Sequence, residues 1–454
     1  MIRYGRSLFV VVCLLSPSQS PVCAAEYFVC NQPGQASGAN KGSAANPWKL
    51  GDLPDAKEVY EAGPALKALV AGDTLTFLPG TYNLATTSGS GMWNMAHIRP
   101  MADGTAVQPI TIRAQPGETV ILNRTSGNRP LLGDMHGPGA TTRKYIRFEG
   151  FVLQGATNFG VSLWGDNNEV AYCKITSAPS TDADISSGIF MNGGDNVRIH
   201  HNEIFNWSNR TGILVYNSTD CVIEDNYVHD NRIGIFDKDS AKGNIYRRNY
   251  STANSYTTFM GSNQTSTGRS DAQYYVYDNV LDGAINLLYV SRGIEFHDNL
   301  LRDIPDSNIG VVATGGSVYQ TRLWNNVYIG KRANMVGYQM DHTAWSTIPP
   351  NNALDYCDYN VYDATPTYRF GRYNKTAGAD TTFSLEQMRG FGFETNAKVV
   401  SGATEIYEDE TSYKLKAPWL KAGRNQDPVG PDDVATILDV KRYGPAARPA
   451  PAAK

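Results

Sequence analysis

Nine short segments of this chain superpose on one another: YIRFEGFVL, EVAYCKIT, VRIHHNEIF, VIEDNYVHD, IYRRNYST, YVYDNVLD, EFHDNLLRD, RLWNNVYIG and DYCDYNVYD. Their central residues are Gly150, Cys173, Asn202, Asn226, Asn249, Asn279, Asn299, Asn326 and Asn360, with gaps of 23, 29, 24, 23, 30, 20, 27 and 34 residues. Each segment reads as strand, one turn residue, strand. A further strand recurs between them: GVSLWG (160–165), GIFMNG (188–193), GILVYN (212–217), IGIFDK (233–238), TTFMGS (257–262), INLLYV (285–290) and IGVVAT (309–314). Three strands in a period of roughly 20–30 residues are the pattern of a parallel β-helix solenoid. A single coil cannot bury its own apolar face. Stacking coils about 4.8 Å apart closes the backbone ladder and the core together.

This period accounts for the composition. The chain holds 35 asparagines, and the central column takes seven of them. A stacked, inward-facing Asn can hydrogen-bond both to turn backbone and to the Asn of the next coil. Asn also tolerates left-handed backbone at a tight turn. The column is therefore read as structural. Of 454 residues, 19% are charged and 41% are hydrophobic, which excludes a coiled coil, a polytopic membrane protein and a charge-rich disordered chain. A formal net charge of −4 argues against a nucleic-acid partner.

The ends read differently from the repeat. Residues 1–25 have the form of an export signal. Arg3 and Arg6 precede the apolar run Leu8–Leu15, Ser16–Pro17 breaks it, and Cys23–Ala24–Ala25 supplies small residues for cleavage. The chain is expected to be secreted or periplasmic, monomeric and without a membrane anchor. Residues 26–425 are expected to form the β-helix domain with its caps, and 426–454 a tail, disordered over 443–454. The segment 54–70 is expected to form a helix that covers the first coil's open edge. A short helix is expected within 384–392 and an irregular cap over 405–424. Cys30, Cys173, Cys221 and Cys357 fit no zinc spacing. They are read mostly as small buried hydrophobes, with their pairing left open.

Strand alternation says which side chains face outward. Reading down one outer column gives Trp164, Asn192, Tyr216 and Lys238, then the Gly261–Ser262 region. Aromatic rings pack on sugar faces, while amides and cations bind hydroxyls and carboxylates, so this strip suits a linear sugar chain. Lys238 lies between Asp237 and Asp239 at a strand end. It reads either as a salt-bridged surface lysine or as a general base or carboxylate clamp. A lysine base needs a cationic neighbour to shed its proton near neutrality, and flanking carboxylates oppose this. The candidate cations are Arg232, Arg247, Arg248 and Arg269, or a bound Ca²⁺ held by oxygens of Asp182, Asp184, Asp230, Asp237 and Asp239. His229 precedes the Lys238 strand and is expected to reach the same face.

Three passages carry a resemblance: the stacked asparagine coils, the opening AGDTLTFLPGTY (71–82) and the segment PITIRAQPGETVIL (109–122). Over roughly 27–425 the chain resembles the right-handed parallel β-helix proteins of the pectate-lyase-like superfold. Among these it is most similar to secreted polysaccharide lyases of the chondroitinase B and alginate lyase type. Asp237–Lys238–Asp239 followed by Asn244–Asn249 resembles the segment that carries the base lysine of those families. Their Arg–His–Gly is absent. Phe259–Asn263 stands in its place, with Arg269 a few residues on. The DPHD-type motif of alginate epimerases is absent too. The resemblance implies an all-β, single-stranded right-handed parallel β-helix acting on an acidic, uronic-acid-containing polysaccharide by β-elimination. It assigns catalysis to Lys238 and Arg269, while the outward strip and the residues around Lys238 supply the candidate substrate-binding residues Trp164, Asn192, Tyr216, His229, Arg232, Asp237 and Asp239. The alternatives are a glycoside hydrolase or epimerase on the same scaffold, or a non-catalytic carbohydrate-binding solenoid.

Overall fold

The computed structural model describes residues 24–32, 40–49, 66, 68–85, 96–134, 141–178, 186–239, 242–263, 273–289, 291–292, 294–302, 312–314, 318–319, 321–330, 339–341, 354–363, 370–373 and 381–449. Within these residues the repeat is realised as three long sheets of 13, 12 and 11 strands, here called sheets one, two and three. One coil shows the winding. Arg198–His200 lies in sheet one, Glu203–Phe205 in sheet two and Thr211–Tyr216 in sheet three; Val222–Glu224 then returns to sheet one beside Arg198–His200. Stacked strands are parallel except at the end of sheet three, where Phe370–Tyr373 pairs antiparallel with Thr381–Phe383. The core runs up the middle of the solenoid, one layer per coil, as in Val170, Ile199 and Ile223 from sheet one with Ile175, Ile204 and Val228 from sheet two.

Two local rules explain the repeating sequence. Between sheets one and two, nine successive coils turn on one left-handed residue. Gly150 has φ 77°, and Tyr172, His201, Asp225, Arg248, Asp278, Asp298, Asn325 and Tyr359 have φ between 50° and 58°. The residue that follows is the ladder position. The ladder asparagines themselves are not left-handed, contrary to the expectation above; the residue before each one carries that strain. At the start of the sheet-three strands, Gly188 and Gly212 lie against the core. A Cβ there would come within 2.4 Å of Ile204 and 2.5 Å of Val228, which explains the recurring Gly before the apolar pair.

The asparagine column is continuous and buried. Asn249 shows the unit: its Nδ2 donates to Ile223 O at 2.9 Å and to Asn279 Oδ1 at 3.1 Å. Its own Oδ1 accepts from the backbone N and Nδ2 of Asn226, at 3.1 and 3.0 Å. The same exchange links Asn202, Asn226, Asn249, Asn279, Asn299, Asn326 and Asn360. At the far end the buried Glu394 caps the column, accepting from Asn360 Nδ2 at 3.0 Å and Tyr362 Oη at 2.6 Å. A second, shorter amide ladder joins sheets two and three, where Asn231 Oδ1 accepts from Trp207 N and Asn254 Oδ1 from Asn231 N.

The expected leader falls on residues that, apart from Ala24 and Ala25, lie outside the described residues. The expected helix over 54–70 also lies outside them, except for Leu66 and 68–70; a capping helix is therefore not shown, although Leu66 and Leu69 are buried in the core. The helix expected within 384–392 is present as Leu385–Gly390, closed by a Ser384/Gln387 capping box. The four cysteines are free and buried, and burial pushes the thiols of Cys173 and Cys221 up to about 12. No helix among the described residues is long and apolar enough to cross a membrane.

The expectation of a disordered end does not hold for 443–449. After the cap the chain folds back along the left-handed turns. Gly430 N donates to Asn325 O (2.6 Å) and Arg442 pairs with Asp225 (3.3 Å). Gly444 N donates to His201 O at 2.8 Å. Arg448 then pairs with Glu149 at 2.6 Å and donates to Ala114 O at 2.7 Å. Composition misleads here because the segment is held at distant coils by backbone groups and ion pairs, together with the buried ring of Tyr443 against Tyr227.

Candidate functional site

Sheet three carries the predicted column, and strand register fixes it. Asn192 pairs with Tyr216, Tyr216 with Lys238 and Lys238 with Ser262. Leu163 pairs with Met191, so Trp164 stands beside Asn192 at the head of the column. The ammonium of Lys238 lies 5.6 Å from the centre of the Tyr216 ring, a cation–π contact. Among the described residues no carboxylate is within ion-pair distance of Lys238.

The head of the column is held from below. The buried carboxylate of Asp134 accepts from the backbone of Trp164 (2.8 Å) and Gly165 (2.7 Å) and from Asn168 Nδ2 (2.5 Å). Burial raises its pKa to about 7 against those hydrogen bonds. Trp164 donates through Nε1 to Ser162 Oγ at 2.9 Å and meets Phe190 edge-on at 5.8 Å. Beside the column a second outward row pairs Ser162, Phe190, Leu214, Phe236, Met260 and Asn286 in register. Phe190 and Leu214 form an apolar cluster with Phe159, separate from the main core, and Phe159 stacks on Phe190 at 4.4 Å. Alternation points to Phe190, Leu214 and Phe236 as outward. Asp134 carries no signal in the sequence, because it stands in a bend beyond its strand; Phe159 opens a repeat strand in register with Ser187, Thr211 and Ile233, but no aromatic recurs at that position.

The other predicted residues do not join this face. Asp237 is buried and points into the core, where Tyr246 Oη donates to it at 2.5 Å and Asn244 Nδ2 at 3.0 Å. It occupies the inward position held by Met191 and Val215 in the coils before it, so it does not face a substrate. Asp239 is buried too, at a left-handed turn position (φ 53°). His229 lies on sheet two, not sheet three. It stacks between Tyr227 (4.1 Å) and Phe205 (5.0 Å), and its Nδ1 meets Asp230 at 2.6 Å. A corner of the coil separates it from Lys238. Arg232 sits before the first residue of the Lys238 strand, with its guanidinium over the Tyr256 ring at 5.3 Å. Five further steps of about 3.3 Å put it far from Lys238.

Arg247 and Arg248 belong to sheet one and its turn, where both hold Glu224. Arg269, Asp182 and Asp184 lie outside the described residues. The remaining expected Ca²⁺ ligands are dispersed: Asp237 points into the core, Asp239 is buried at a turn and Asp230 is engaged by His229 on sheet two. Among the described residues no group of three or more His, Cys, Asp or Glu could hold a metal ion. Several of the chain's 26 tyrosines are structural. Tyr216 stands in the Lys238 column, while Tyr227 and Tyr250 stack on sheet two and Tyr277 stacks with His297 and Trp324 on sheet one.

Residues 159–327 match the family model described as "Right handed beta helix region". Together with the three-sheet winding, this makes the chain a right-handed parallel β-helix, the winding that its resemblance to the pectate-lyase-like superfold implies. Three solved structures are similar to it. A pectate lyase has 13% identity and a TM-score of 0.49, over 91% of this chain and 96% of that one. The A-module of a mannuronan C-5 epimerase from Azotobacter vinelandii has 12% identity and a TM-score of 0.46, over 71% and 93%. A lacto-N-biosidase from Eubacterium ramulus has 12% identity and a TM-score of 0.46, over 77% and 67%. At such identities the likeness carries no activity across. No curated protein matches the sequence.

Proposed function

We propose that the protein binds a uronic-acid-containing polysaccharide along the outer face of sheet three and cleaves it by β-elimination, with Lys238 as the base. The observation that carries this reading is the in-register column itself. It sets Lys238 beside the Tyr216 ring, in line with Asn192 and Trp164, with no carboxylate partner among the described residues. A sugar ring stacked on Trp164 or Tyr216 brings its neighbour along the column to the amine. In the reaction the amine removes the C5 proton, the electron pair forms the C4–C5 double bond, and the C4–O bond breaks, its oxygen taking a proton from water. In this reading Arg269 neutralises the uronate carboxylate, which acidifies that proton.

The protein is incubated with alginate, pectate and glycosaminoglycans, and the ultraviolet absorbance of the unsaturated product is followed. Turnover is expected on one of these polymers, and Lys238→Ala is expected to lower kcat by about a hundredfold or more. No unsaturated product from any uronate polymer, or full activity in Lys238→Ala, overturns the reading. A second reading, sugar binding without turnover, draws on the distance between Arg232 and Lys238 along one strand. It predicts binding that survives Lys238→Ala and is weakened by Trp164→Ala.

A further inference from the structure

The outer face of sheet two, away from Lys238, carries two columns in its C-terminal part. Val280, Leu300, Val327 and Val361 pair in register and are buried beneath Ala403, Ile406, Tyr407 and Val429 of the segment that folds back. Two residues further along each strand stand Asp282, Arg302 and Ile329, also in register, with Asp363 in the following coil. Over this second column the segment does not close. It leaves a groove of about 670 Å³, with Tyr250 on the sheet side and Tyr413 and Glu410 on the segment side.

The groove is built from fixed groups. Arg302 grips Asp282 through two bonds, Nε to Oδ1 at 2.7 Å and Nη2 to Oδ2 at 2.8 Å. Its Nη1 donates to Tyr413 Oη at 2.9 Å, and Tyr250 Oη donates to Asp282 at 3.2 Å. The guanidinium lies 5.0 Å from the Tyr413 ring and 5.9 Å from the Tyr250 ring. Both aromatic walls are thus tied to one ion pair and cannot swing in to fill the space. Among the described residues that line the groove, three carboxylates, Asp282, Asp363 and Glu410, stand against one guanidinium, that of Arg302. Such a surface repels a uronate or sulfated sugar. It offers acceptors for vicinal hydroxyls and ring faces for the C–H side of a pyranose, in a volume of ligand-site size.

We propose that this groove is a saccharide site for a neutral pyranose, distinct from the sheet-three face in both place and charge. The site stands on the groove alone and does not depend on catalysis at Lys238. The full chain is titrated calorimetrically with the methyl glycosides of glucose, mannose, galactose and xylose, and with methyl galacturonoside as the acidic counterpart. Saturable binding of at least one neutral glycoside is expected, and none of the acidic one. Glu410→Ala, at an exposed rim position, is expected to weaken that binding about tenfold, the loss of one hydrogen bond to a charged group. Tyr413→Phe, which keeps the ring, is expected to weaken it less. Trp164→Ala on sheet three is expected to leave it unchanged. The proposal is overturned if no neutral glycoside saturates, if the galacturonoside binds as well as the neutral sugars, if Glu410→Ala and Tyr413→Phe both bind as the parent does, or if Trp164→Ala abolishes the binding.

Discussion

At the scale of the residue, the buried asparagine does work that no other side chain of its size can do. Asn249 satisfies two carbonyl oxygens above and below it and two N–H groups of Asn226 from one position. Leucine would fill the space but leave the Asn226 N–H and the Ile223 carbonyl unpaired in the core. Aspartate would keep the acceptor and lose the donors. Asn249→Ala is therefore expected to destabilise the solenoid by about 3 kcal/mol, the sum of two to three buried hydrogen bonds left unmade. Urea unfolding monitored by circular dichroism measures this. A loss below that of an ordinary surface substitution would mean that the column is not under load. The column is legible in the sequence because the side chain recurs at one position in each coil. The left-handed residue before it is legible only in part: Asp225, Asp278, Asp298 and Asn325 are types that tolerate this backbone, while Arg248 and Tyr359 are bound only by the turn they occupy.

At the scale of the element, the same contrast separates what strand patterning reveals from what it hides. Alternation orders the outward column of sheet three from Trp164 to Lys238, because each strand begins against the core at a glycine and counts from there. It also implies that Asp237 points inward, opposite to Lys238 on the same strand. It says nothing about which sheet His229 belongs to, because that depends on the corner between two strands and not on either strand. Cross-strand charge is equally hidden. In sheet one, Glu224 lies between Arg198 (2.6 Å), Arg247 (2.7 Å) and Arg248 (2.6 Å), tying together three successive coils. Burial alone would raise the carboxyl of Glu224, but hydrogen bonds from Arg198 and Arg247 outweigh it and hold the group at about 2, below its ordinary 4.5. A depressed carboxylate contributes stability that is fully present above its unfolded pKa and is lost as pH falls through the folded one. The contribution therefore fades between about 4.5 and about 2. Glu224→Gln is expected to cost about 3 kcal/mol at neutral pH and almost nothing at the acid end of that window. Urea midpoints of both proteins across the window test this. A cost that does not change with pH would assign the effect to packing instead of charge.

At the scale of the whole molecule, the solenoid is not simply open at its C-terminal end. A stack of coils ordinarily joins each layer only to its neighbours, so its ends can fray independently. Here the returning segment touches the coils of Asn325, Asp225, His201 and Glu149 in turn, and so couples distant layers to one another. Its path crosses one unfavourable place. Burial, together with the charges of Asp298 and of Asp432 on the segment, raises the carboxyl of Asp278 to about 7. The sign is the reverse of Glu224. A carboxyl raised on folding contributes fully below its unfolded pKa, and that contribution is lost as pH rises through the folded value. Docking of the segment is therefore favoured in acid and weakens progressively as the pH rises from 3.8 to about 7, with nothing further lost above. Asp278→Asn removes the charge and keeps the shape. It is expected to stabilise the protein by about 1–2 kcal/mol at about pH 8, after allowance for solvent screening, and to leave it unchanged near pH 4. Hydrogen exchange at Gly444, whose amide is bonded to His201 across the strap, reports docking directly. Slower exchange in Asp278→Asn at the alkaline pH alone is the expected result. Equal exchange in the two proteins at both pH values would mean that the strap is held without regard to this carboxyl.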